Sequence, residues 1–301
     1  MTAHDSSSLT TGTLDTAAVR RSFDRAASTF DAAAVLHAEV RGNLLARLDF
    51  TKLAPRVVID AGAGTGHGAR ALKKRYPNAQ VIAVDFSQRM LQVAARRRSW
   101  LVPFMRVCAH AGRLPFADGS IDLIVSNLML PWCSPDDVLA ECRRVLAPHG
   151  LLSFTTFGPD TLRELRDAWA RVDSADHVIG FIDMHDIGDA LVRSGFASPV
   201  LDVERFTLKY RDVRQIAADL KATGARNATF DRPKGLGSRR KLAALQAAYE
   251  THRHEGRLPA TCEVVFAHAW SPATARLAPG EDGSTVSLDE IKRQLRSSRL
   301  S

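Results

Sequence analysis

The chain has 301 residues, of which 45% are hydrophobic and 25% are charged. A chain of this length can bury a substantial core and can form one large domain or two. No apolar run reaches about 18 residues, so the sequence excludes a membrane-spanning helix. The 41 Lys and Arg residues outnumber the 33 Asp and Glu residues. The resulting net charge of +8 favours an acidic partner, either nucleic acid or an acidic carrier protein.

Four cysteines are scattered along the chain, and no two of them form a Cys-x-x-Cys pair. This predicts buried free thiols in a reducing compartment, and neither disulfides nor a metal site. We therefore expect a cytoplasmic protein without a bound metal. Basic residues occur in short clusters with few aromatic neighbours. Single-stranded nucleic acid binds by stacking on aromatic side chains that lie among basic ones, so a nucleic-acid partner is not expected. A membrane is not expected as a partner either.

The two ends of the chain differ in composition from the part between them. Residues 1–14 are rich in Ser and Thr and carry no Lys or Arg, so they are neither a secretory signal nor an Arg-rich transit peptide. We expect a disordered tail there and a polar C-terminal tail over residues 273–301. One domain over residues 15–272 remains between the tails, and we expect it to act as a monomer.

Residues 15–50 have the periodicity of amphipathic helices. Val19, Phe23, Ala26 and Phe30 form one apolar stripe, and arginines fall largely on the opposite side. Helices that precede a sheet can lie across the mouth of a ligand site as a lid. The same periodicity is equally compatible with helices that only cover the sheet.

Residues 56–68 contain a short apolar run that stops at an acid and breaks into glycines. Val57–Ile59 has the composition of a strand buried on both faces, and Asp60 follows at its carboxyl end. Gly62, Gly64 and Gly66 let the backbone turn and approach a ligand closely. A histidine occupies the position where a dinucleotide fingerprint has its third glycine. The pattern predicts a nucleotide-type cradle for another ligand; a tight turn without a ligand is the alternative.

A second apolar run, residues 81–84, ends at Asp85. An acid at the tip of the second strand can accept hydrogen bonds from both ribose hydroxyls of a nucleotide. Its alternative role is to cap the helix that follows. Strand and helix patterns then alternate to about residue 150, which predicts a mostly parallel sheet. Strands near 200–205 and 207–210, with a last strand over 258–270, would complete an antiparallel edge.

The run Asp60-x-Gly62-x-Gly64-x-Gly66 resembles motif I of the class I S-adenosylmethionine (SAM) methyltransferases. Leu114-Pro115-Phe116 and the helix end Arg144-Val145-Leu146 resemble later features of that family. The resemblance implies a Rossmann-like fold with a mostly parallel seven-stranded sheet, helices on both faces and an N-terminal helical lid. It also implies SAM as the cofactor. The predicted cofactor-binding residues are Asp60, Gly62, Gly64, Gly66, Asp85, His110, Asn127 and Leu128.

One of these positions departs from the family pattern. His110 stands where the family carries an acid that touches the adenine edge. Adenine contact there is expected from backbone amides or from the imidazole, with a reduced affinity for SAM.

Asn127 and Leu128 follow the fourth strand, where open α/β sheets place ligands, and we expect them to border the methyl group. Trp132 is expected to form one wall of the acyl site; packing in the core is the alternative.

Further segments are more specific. Phe23-Asp24-Arg25-Ala26-Ala27, the stretch 155–169 and Leu258-Pro259-Ala260-Thr261 resemble the malonyl-acyl-carrier-protein O-methyltransferase family of biotin synthesis. The resemblance implies methylation of the free carboxylate of a malonyl thioester and an acyl carrier protein as partner. A family of respiratory complex I assembly factors that hydroxylate arginine shares the Phe-Asp-Arg opening, and a methyltransferase of another small molecule or of RNA is a further alternative. Phe30, a predicted substrate-binding residue, replaces the usual Tyr.

A carboxylate acceptor is already ionised at neutral pH, so this reaction needs no general base. It needs a donor that orients the carboxylate, and a guanidinium suits this because it binds in a bidentate manner. Arg163, Lys221 and Arg239 are the predicted catalytic residues; surface ion pairs are the alternative for each. We expect the basic insertion over residues 212–257 to meet the acidic carrier.

Overall fold

The computed structural model describes residues 14–97, 101–230 and 239–273. Most of the two predicted tails, residues 1–13 and 274–301, therefore lies outside the described residues, as does 231–238 of the basic insertion. Leu14 forms an isolated antiparallel bridge with Thr229. Within the described ranges, no helix has the length and hydrophobicity needed to cross a bilayer.

One seven-stranded sheet forms the centre of the fold, with the strand order β3-β2-β1-β4-β5-β7-β6. Strands β1 to β5 pair in parallel, and β7 is antiparallel to both of its neighbours. This confirms the predicted mostly parallel, seven-stranded sheet. The strands are β1 Val57–Ala61, β2 Gln80–Asp85, β3 Met105–Cys108, β4 Ile121–Asn127, β5 Leu146–Phe157, β6 Ala197–Tyr210 and β7 Leu258–Trp270.

Ten α-helices surround the sheet in the part of the chain that the structure describes. The N-terminal segment forms three of them, α1 to α3. The helices are α1 Thr16–Ala26, α2 Phe30–Ala33, α3 Val35–Arg47, α4 His67–Arg75, α5 Gln88–Ala95, α6 Pro135–Val145, α7 Arg163–Ala170, α8 Met184–Arg193, α9 Val213–Ala222 and α10 Arg239–Tyr249.

Helices cover both faces of the sheet because successive side chains of the central strands point to opposite sides. On β1, Val58 belongs to the apolar cluster that includes Val40 and Leu44 of α3. The next residue, Ile59, belongs to a separate cluster with Leu139 of α6 and other residues of α6 and α8. Both β1 residues are fully buried, as the unbroken β-branched run predicts.

The strand order reverses direction between β1 and β4, which lie side by side although they are distant in the chain. In an open parallel sheet such a reversal leaves a crevice beyond the carboxyl ends of the two strands. Asp60 lies near the end of β1 and Asn127 ends β4. The topology therefore brings the predicted cradle and the predicted methyl-transfer residues to one place.

Candidate active site

The turn after β1 has the backbone geometry that its glycines predict. Gly62, Gly64 and Gly66 have φ values of +72°, +52° and +84°, a region that residues with a Cβ rarely adopt. The Gly62 N–H donates to the carbonyl of Val84 at 2.8 Å, which ties the turn to β2. A Cβ on Gly62 would lie 2.4 Å from Cγ of Met129. The turn is therefore packed so closely against the segment after β4 that Gly62 has no room for a side chain.

Asp85 accepts backbone hydrogen bonds on both carboxylate oxygens. The Gly64 N–H donates to Oδ2 at 2.8 Å, and the Ser87 N–H donates to Oδ1 at 2.8 Å. The N-cap of α5 is Ser87, whose hydroxyl accepts from the Met90 N–H at 3.1 Å. Burial raises the pKa of Asp85 to about 6. Asp85 thus does not cap α5, and its remaining lone pairs are available to accept ligand hydroxyls.

Asp60 is buried, and its Oδ2 has no hydrogen-bond partner among the described residues. Burial raises the pKa of this carboxyl to about 7. The carboxylate fits only because residue 68 is glycine, since a Cβ there would lie 2.6 Å from Oδ2. A buried carboxylate oxygen without a partner is costly. Its presence indicates a site for a cationic or hydrogen-bond-donating ligand group.

Arg41 of α3 lines the same cavity as Asp60, which we call the tail cavity. Burial lowers the pKa of Arg41, and the nearby Asp60 opposes that shift. No carboxylate lies within ion-pairing distance of Arg41 anywhere in the described ranges. The tail cavity therefore presents one unpaired cation and one unpaired anion, which matches the zwitterionic amino-acid end of a ligand. Helical periodicity puts Arg41 on the polar side of a helix and gives no sign that it faces a ligand site.

A second cavity, the cofactor cavity, adjoins the tail cavity and is lined by most of the predicted cofactor-binding residues. His110 lies at one end of it, where its Nδ1 accepts a hydrogen bond from the Gly112 N–H at 3.1 Å. A neutral imidazole whose Nδ1 accepts a hydrogen bond carries its proton on Nε2. The predicted residues that line the cofactor cavity are Phe30, Gly62, Gly64, Asp85, His110, Asn127, Leu128 and Trp132.

The first helices are joined to the cradle by hydrogen bonds. The Ser87 hydroxyl donates to Asp24 of α1 at 2.6 Å, and the Thr65 hydroxyl donates to Asp31 of α2 at 2.6 Å. Arg97 donates to the second oxygen of Asp31. Side chains from this N-terminal segment form one wall of both the cofactor cavity and the tail cavity. The structure thus places these helices where a lid is expected.

Asn127 and Leu128 are held in a hydrogen-bonded chain at the end of β4. The Thr155 hydroxyl donates to the Asn127 side-chain oxygen at 3.0 Å and accepts from the Leu128 N–H at 3.0 Å. The Asn127 side-chain N–H donates to the carbonyl of His37 at 3.0 Å, which ties α3 to β4. Leu128 has a φ of +56°, a strained conformation for a residue with a side chain. Such strain is commonly found at ligand sites.

We call a third cavity the acceptor cavity. Its lining is largely apolar and comes from α3, α7, α9, β6 and β7, among other segments. Three residues, Phe23, His37 and Trp132, line both this cavity and the cofactor cavity. Trp132 lies edge to face with Phe23, with ring centroids 5.4 Å apart. Phe30 lines the cofactor and tail cavities but not the acceptor cavity.

The remaining predicted site residues lie away from these cavities. Arg163, Lys221 and Arg239 are exposed, and none of them lines the cofactor, tail or acceptor cavity. Arg163 has an N–O distance of 3.6 Å to Glu164. Gly66 caps α4 and faces Ala94 of α5. The catalytic role of the three cations stays a prediction; the structure brings a different arginine, Arg226, to the acceptor cavity.

These features fit SAM. Asp60 and Arg41 match the ammonium and carboxylate of its methionine part, and Asp85 matches its ribose. The glycine turn leaves the space that a bound cofactor needs, because a Cβ at Gly64 would meet nothing within 4 Å. The site thus combines a cofactor cavity with an adjoining apolar cavity for an acceptor.

Comparison with known proteins agrees with this geometry. Residues 59–154 match a family model described as a methyltransferase domain. The malonyl-[acyl-carrier protein] O-methyltransferase of Laribacter hongkongensis is 50% identical over 282 residues, which cover 90% of this chain and 95% of the relative. The protein of the same name from Methylovorus sp. is 53% identical over 272 residues, which cover 88% and 92%.

Solved structures show the same fold at low sequence identity. The YcgJ protein of Bacillus subtilis has a TM-score of 0.54 at 16% identity, and the match covers 76% of this chain and 97% of that one. The [4+2]-cyclase SpnF has a TM-score of 0.51 at 20% identity, with 78% and 81% covered. These two show the fold alone, and a fold shared with a cyclase does not determine the reaction. By its close relatives, the chain is a SAM-dependent methyltransferase that belongs to the malonyl-[acyl-carrier protein] O-methyltransferase family.

Proposed function

We propose that this protein methylates the free carboxylate of a malonyl group carried on acyl carrier protein. The product, a malonyl methyl ester, would prime pimeloyl synthesis for biotin. The observation that carries this proposal is the contact between the two cavities, because Phe23, His37 and Trp132 line both the cofactor cavity and the acceptor cavity. An acyl group in the acceptor cavity can therefore reach the cofactor.

The surroundings suit a reaction between an anion and a sulfonium. When bound, SAM supplies a methyl group on a positively charged sulfur. Phe23 and Trp132 place aromatic surface around the transfer point and limit the access of water. With less water, less hydration has to be removed from the carboxylate before attack. The chain's main contribution is to hold the carboxylate oxygen in line with the methyl group.

Four exposed basic residues, which we call the basic face, are Arg226, which lines the acceptor cavity, and Arg239, Arg240 and Lys241 at the start of α10. Lys241 of α10 pairs with Asp173 at 2.7 Å. The second oxygen of Asp173 lies 2.7 Å from Nε2 of His177, which lines the acceptor cavity. The basic face is thus joined to the cavity wall. A cationic surface there complements an acidic carrier that presents its malonyl group to the cavity.

Purified protein incubated with malonyl-acyl carrier protein and SAM tests the proposal. We expect the carrier-bound malonyl group to gain one methyl, seen by mass spectrometry of the intact carrier, and we expect the added mass to leave with the acyl group when the thioester is cleaved. Asp85→Ala should abolish the gain because Asp85 lines the cofactor cavity. Methylation of RNA or of a small free acid, with none of the carrier, would contradict the proposal.

Reversing the charges of Arg239 and Arg240 tests the docking surface. We expect Arg239→Glu/Arg240→Glu to raise the KM for the malonyl carrier by about tenfold at low salt, because rim charges act mainly on association. The difference should shrink as ionic strength rises and screens the charges. Steady-state kinetics at low and high salt measure both effects.

Lys52→Glu/Arg56→Glu is the matched control. Both residues are exposed and precede β1, at the end of this strand opposite Asp60 and the glycine turn. The charge change is the same, so an equal rise in KM would show that net charge matters and that no docking face exists. A fall in kcat at an unchanged KM in the first variant would instead support a carboxylate-orienting role for Arg239.

We also place this activity in the cytoplasm, in a monomer that binds neither nucleic acid nor a membrane. The support is compositional: the four cysteines are free, as a reducing compartment allows, and the basic clusters have few aromatic neighbours on which a nucleic acid could stack. The arginine-hydroxylase alternative is not favoured, because relatives of about half-identical sequence carry the O-methyltransferase name.

A further inference from the structure

His37 occupies a position that the proposed reaction does not yet use. It is half-buried near the start of α3 and lines the cofactor, tail and acceptor cavities. Within the described ranges, no other side chain lines all three of these cavities. The junction of the cofactor and acceptor spaces is where the methyl group must pass. His37 is therefore beside the reacting atoms.

The backbone at His37 is fixed, whereas part of its ring has no partner. The carbonyl of His37 accepts from the side-chain N–H of Asn127 at 3.0 Å. The ring lies edge to face with Phe30, with centroids 5.1 Å apart. Its Nδ1 is shielded from solvent and has no hydrogen-bond partner among the residues described. Buried polar atoms are normally paired, so an unpaired one at a cavity junction indicates a ligand contact.

The ring is held neutral by its surroundings. Burial, together with the charge of Arg41 one helical turn away on the same face of α3, lowers the pKa of His37 to about 4. A neutral imidazole has one N–H donor and one acceptor. It can donate a hydrogen bond to an anion without adding a positive charge next to a sulfonium.

Methyl transfer to a carboxylate has a specific geometric need. One oxygen attacks, a bond forms between that oxygen and the methyl carbon, and the carbon–sulfur bond breaks with its electron pair returning to sulfur. No proton is transferred. The second oxygen must be held so that the first points along the breaking bond. A positively charged side chain bound to the carboxylate would also hold the second oxygen in place, but it would draw negative charge away from the attacking oxygen.

We propose that His37 donates a hydrogen bond to the non-attacking oxygen of the malonyl carboxylate and so aligns the other oxygen with the methyl group. This rests on the proposed function, because it assumes a carboxylate acceptor. It assigns the orienting contact to a neutral residue at the cavity junction. The three exposed cations, Arg163, Lys221 and Arg239, then have no direct part in orienting the acceptor.

His37→Leu and His37→Gln, compared in the full-length protein, test this proposal. We expect His37→Leu to lower kcat for methylation of malonyl carrier by about 10²- to 10³-fold, as the loss of one oriented donor does. The Kd for S-adenosylhomocysteine, measured by titration calorimetry, should change less than about threefold. His37→Gln keeps an N–H donor and should recover at least about tenfold of the lost kcat.

The melting temperature separates a chemical role from a structural one. His37→Leu removes a buried unpaired nitrogen, so the variant should melt at or above the wild-type temperature. Glu39→Leu, an exposed change on the same helix, is the matched control and should leave kcat unaltered.

Three outcomes would overturn the assignment. These are an unchanged kcat in His37→Leu, a loss of S-adenosylhomocysteine affinity as large as the loss of activity, and no recovery in His37→Gln. A wild-type protein that does not methylate the malonyl carrier would refute the proposed function itself, and the role of His37 with it. Normal wild-type activity together with a fully active His37→Leu refutes only the role of His37.

Discussion

Asp60→Asn should lower the affinity for SAM by about 10²-fold, which corresponds to about 3 kcal/mol and is typical of losing a hydrogen bond to a buried charge. Asp60 offers a buried carboxylate oxygen that no described protein group satisfies, in a cavity that it shares with Arg41. The cofactor's ammonium group is the cation that this oxygen lacks. Asparagine keeps the size of the side chain and removes its charge, so the change isolates the ionic contribution.

The pH dependence of binding follows from the same carboxyl. Its pKa is raised to about 7 by burial in the unliganded protein. Binding of an ammonium favours the ionised form, so affinity should be highest above pH 7 and should fall as the pH decreases towards 6. Asp60→Asn should lose this part of the dependence; a smaller part from Asp85, with a pKa of about 6, should remain.

Titration calorimetry with S-adenosylhomocysteine at pH 6, 7 and 8 measures both effects. Asp49→Asn is a matched control, because Asp49 is exposed and pairs with Arg75, outside the tail cavity. A wild-type affinity that does not vary with pH, or an Asp60→Asn affinity within about threefold of wild type, would contradict the role of Asp60.

As the pH rises, the stability of the cofactor-free protein should fall, whereas its affinity for the cofactor should rise. A carboxyl with a higher pKa in the folded chain than in the unfolded chain favours folding while it is protonated, and this contribution is lost as the pH rises through the folded value. At pH 8 the ionised, unpaired Asp60 destabilises the cofactor-free protein. Asp60→Asn without cofactor should therefore melt at a higher temperature than wild type at pH 8. A stable variant that does not bind would show that lost affinity is not lost folding.

Gly66→Ala should destabilise the fold by about 2–5 kcal/mol, the sum of a left-handed backbone cost and overpacking. Gly66 has a φ of +84°, and an added Cβ would lie 2.8 Å from the Cβ and 3.1 Å from the Cα of Ala94. Phe104 closes the other side at 3.3 Å. Because these neighbours include helix backbone, they cannot move away cheaply. We expect a drop in melting temperature of roughly 5–10 °C.

Two other glycines provide contrasting controls. Gly42 lies inside α3 with nothing within 4 Å of an added Cβ, so Gly42→Ala should stabilise the protein by about 1 kcal/mol. Gly64 is equally open but has a φ of +52° and lines the cofactor cavity. Gly64→Ala should therefore reduce cofactor affinity more than stability. Scanning calorimetry with and without S-adenosylhomocysteine separates the cases, and an unaltered melting temperature in Gly66→Ala would refute the packing argument.

Local sequence patterns predicted much of the fold. Runs of β-branched residues identified the central strands, and β7 has the predicted limits. Two predicted strands over 200–205 and 207–210 are instead one strand, β6. The break expected near Phe206 does not occur because β7 pairs continuously along this stretch, including Phe206 with Cys262. Pairing with a long neighbouring strand thus outweighs a weak local tendency to break the strand. The periodicity of one segment gives no information about which strand pairs with it.

The sequence by itself determined the parallel sheet, the glycine cradle and the acids at the ends of β1 and β2. These features depend on residues that are adjacent in the chain, whose backbone preferences and side-chain alternation are local properties. Only the tertiary structure decided that His37 and Arg41 face the ligand spaces and that Arg163, Lys221 and Arg239 do not. The physical reason is that α3 meets β4 and β5 through packing between distant segments. Helical periodicity shows that a helix has a polar side, but the packing partner determines what that side contacts.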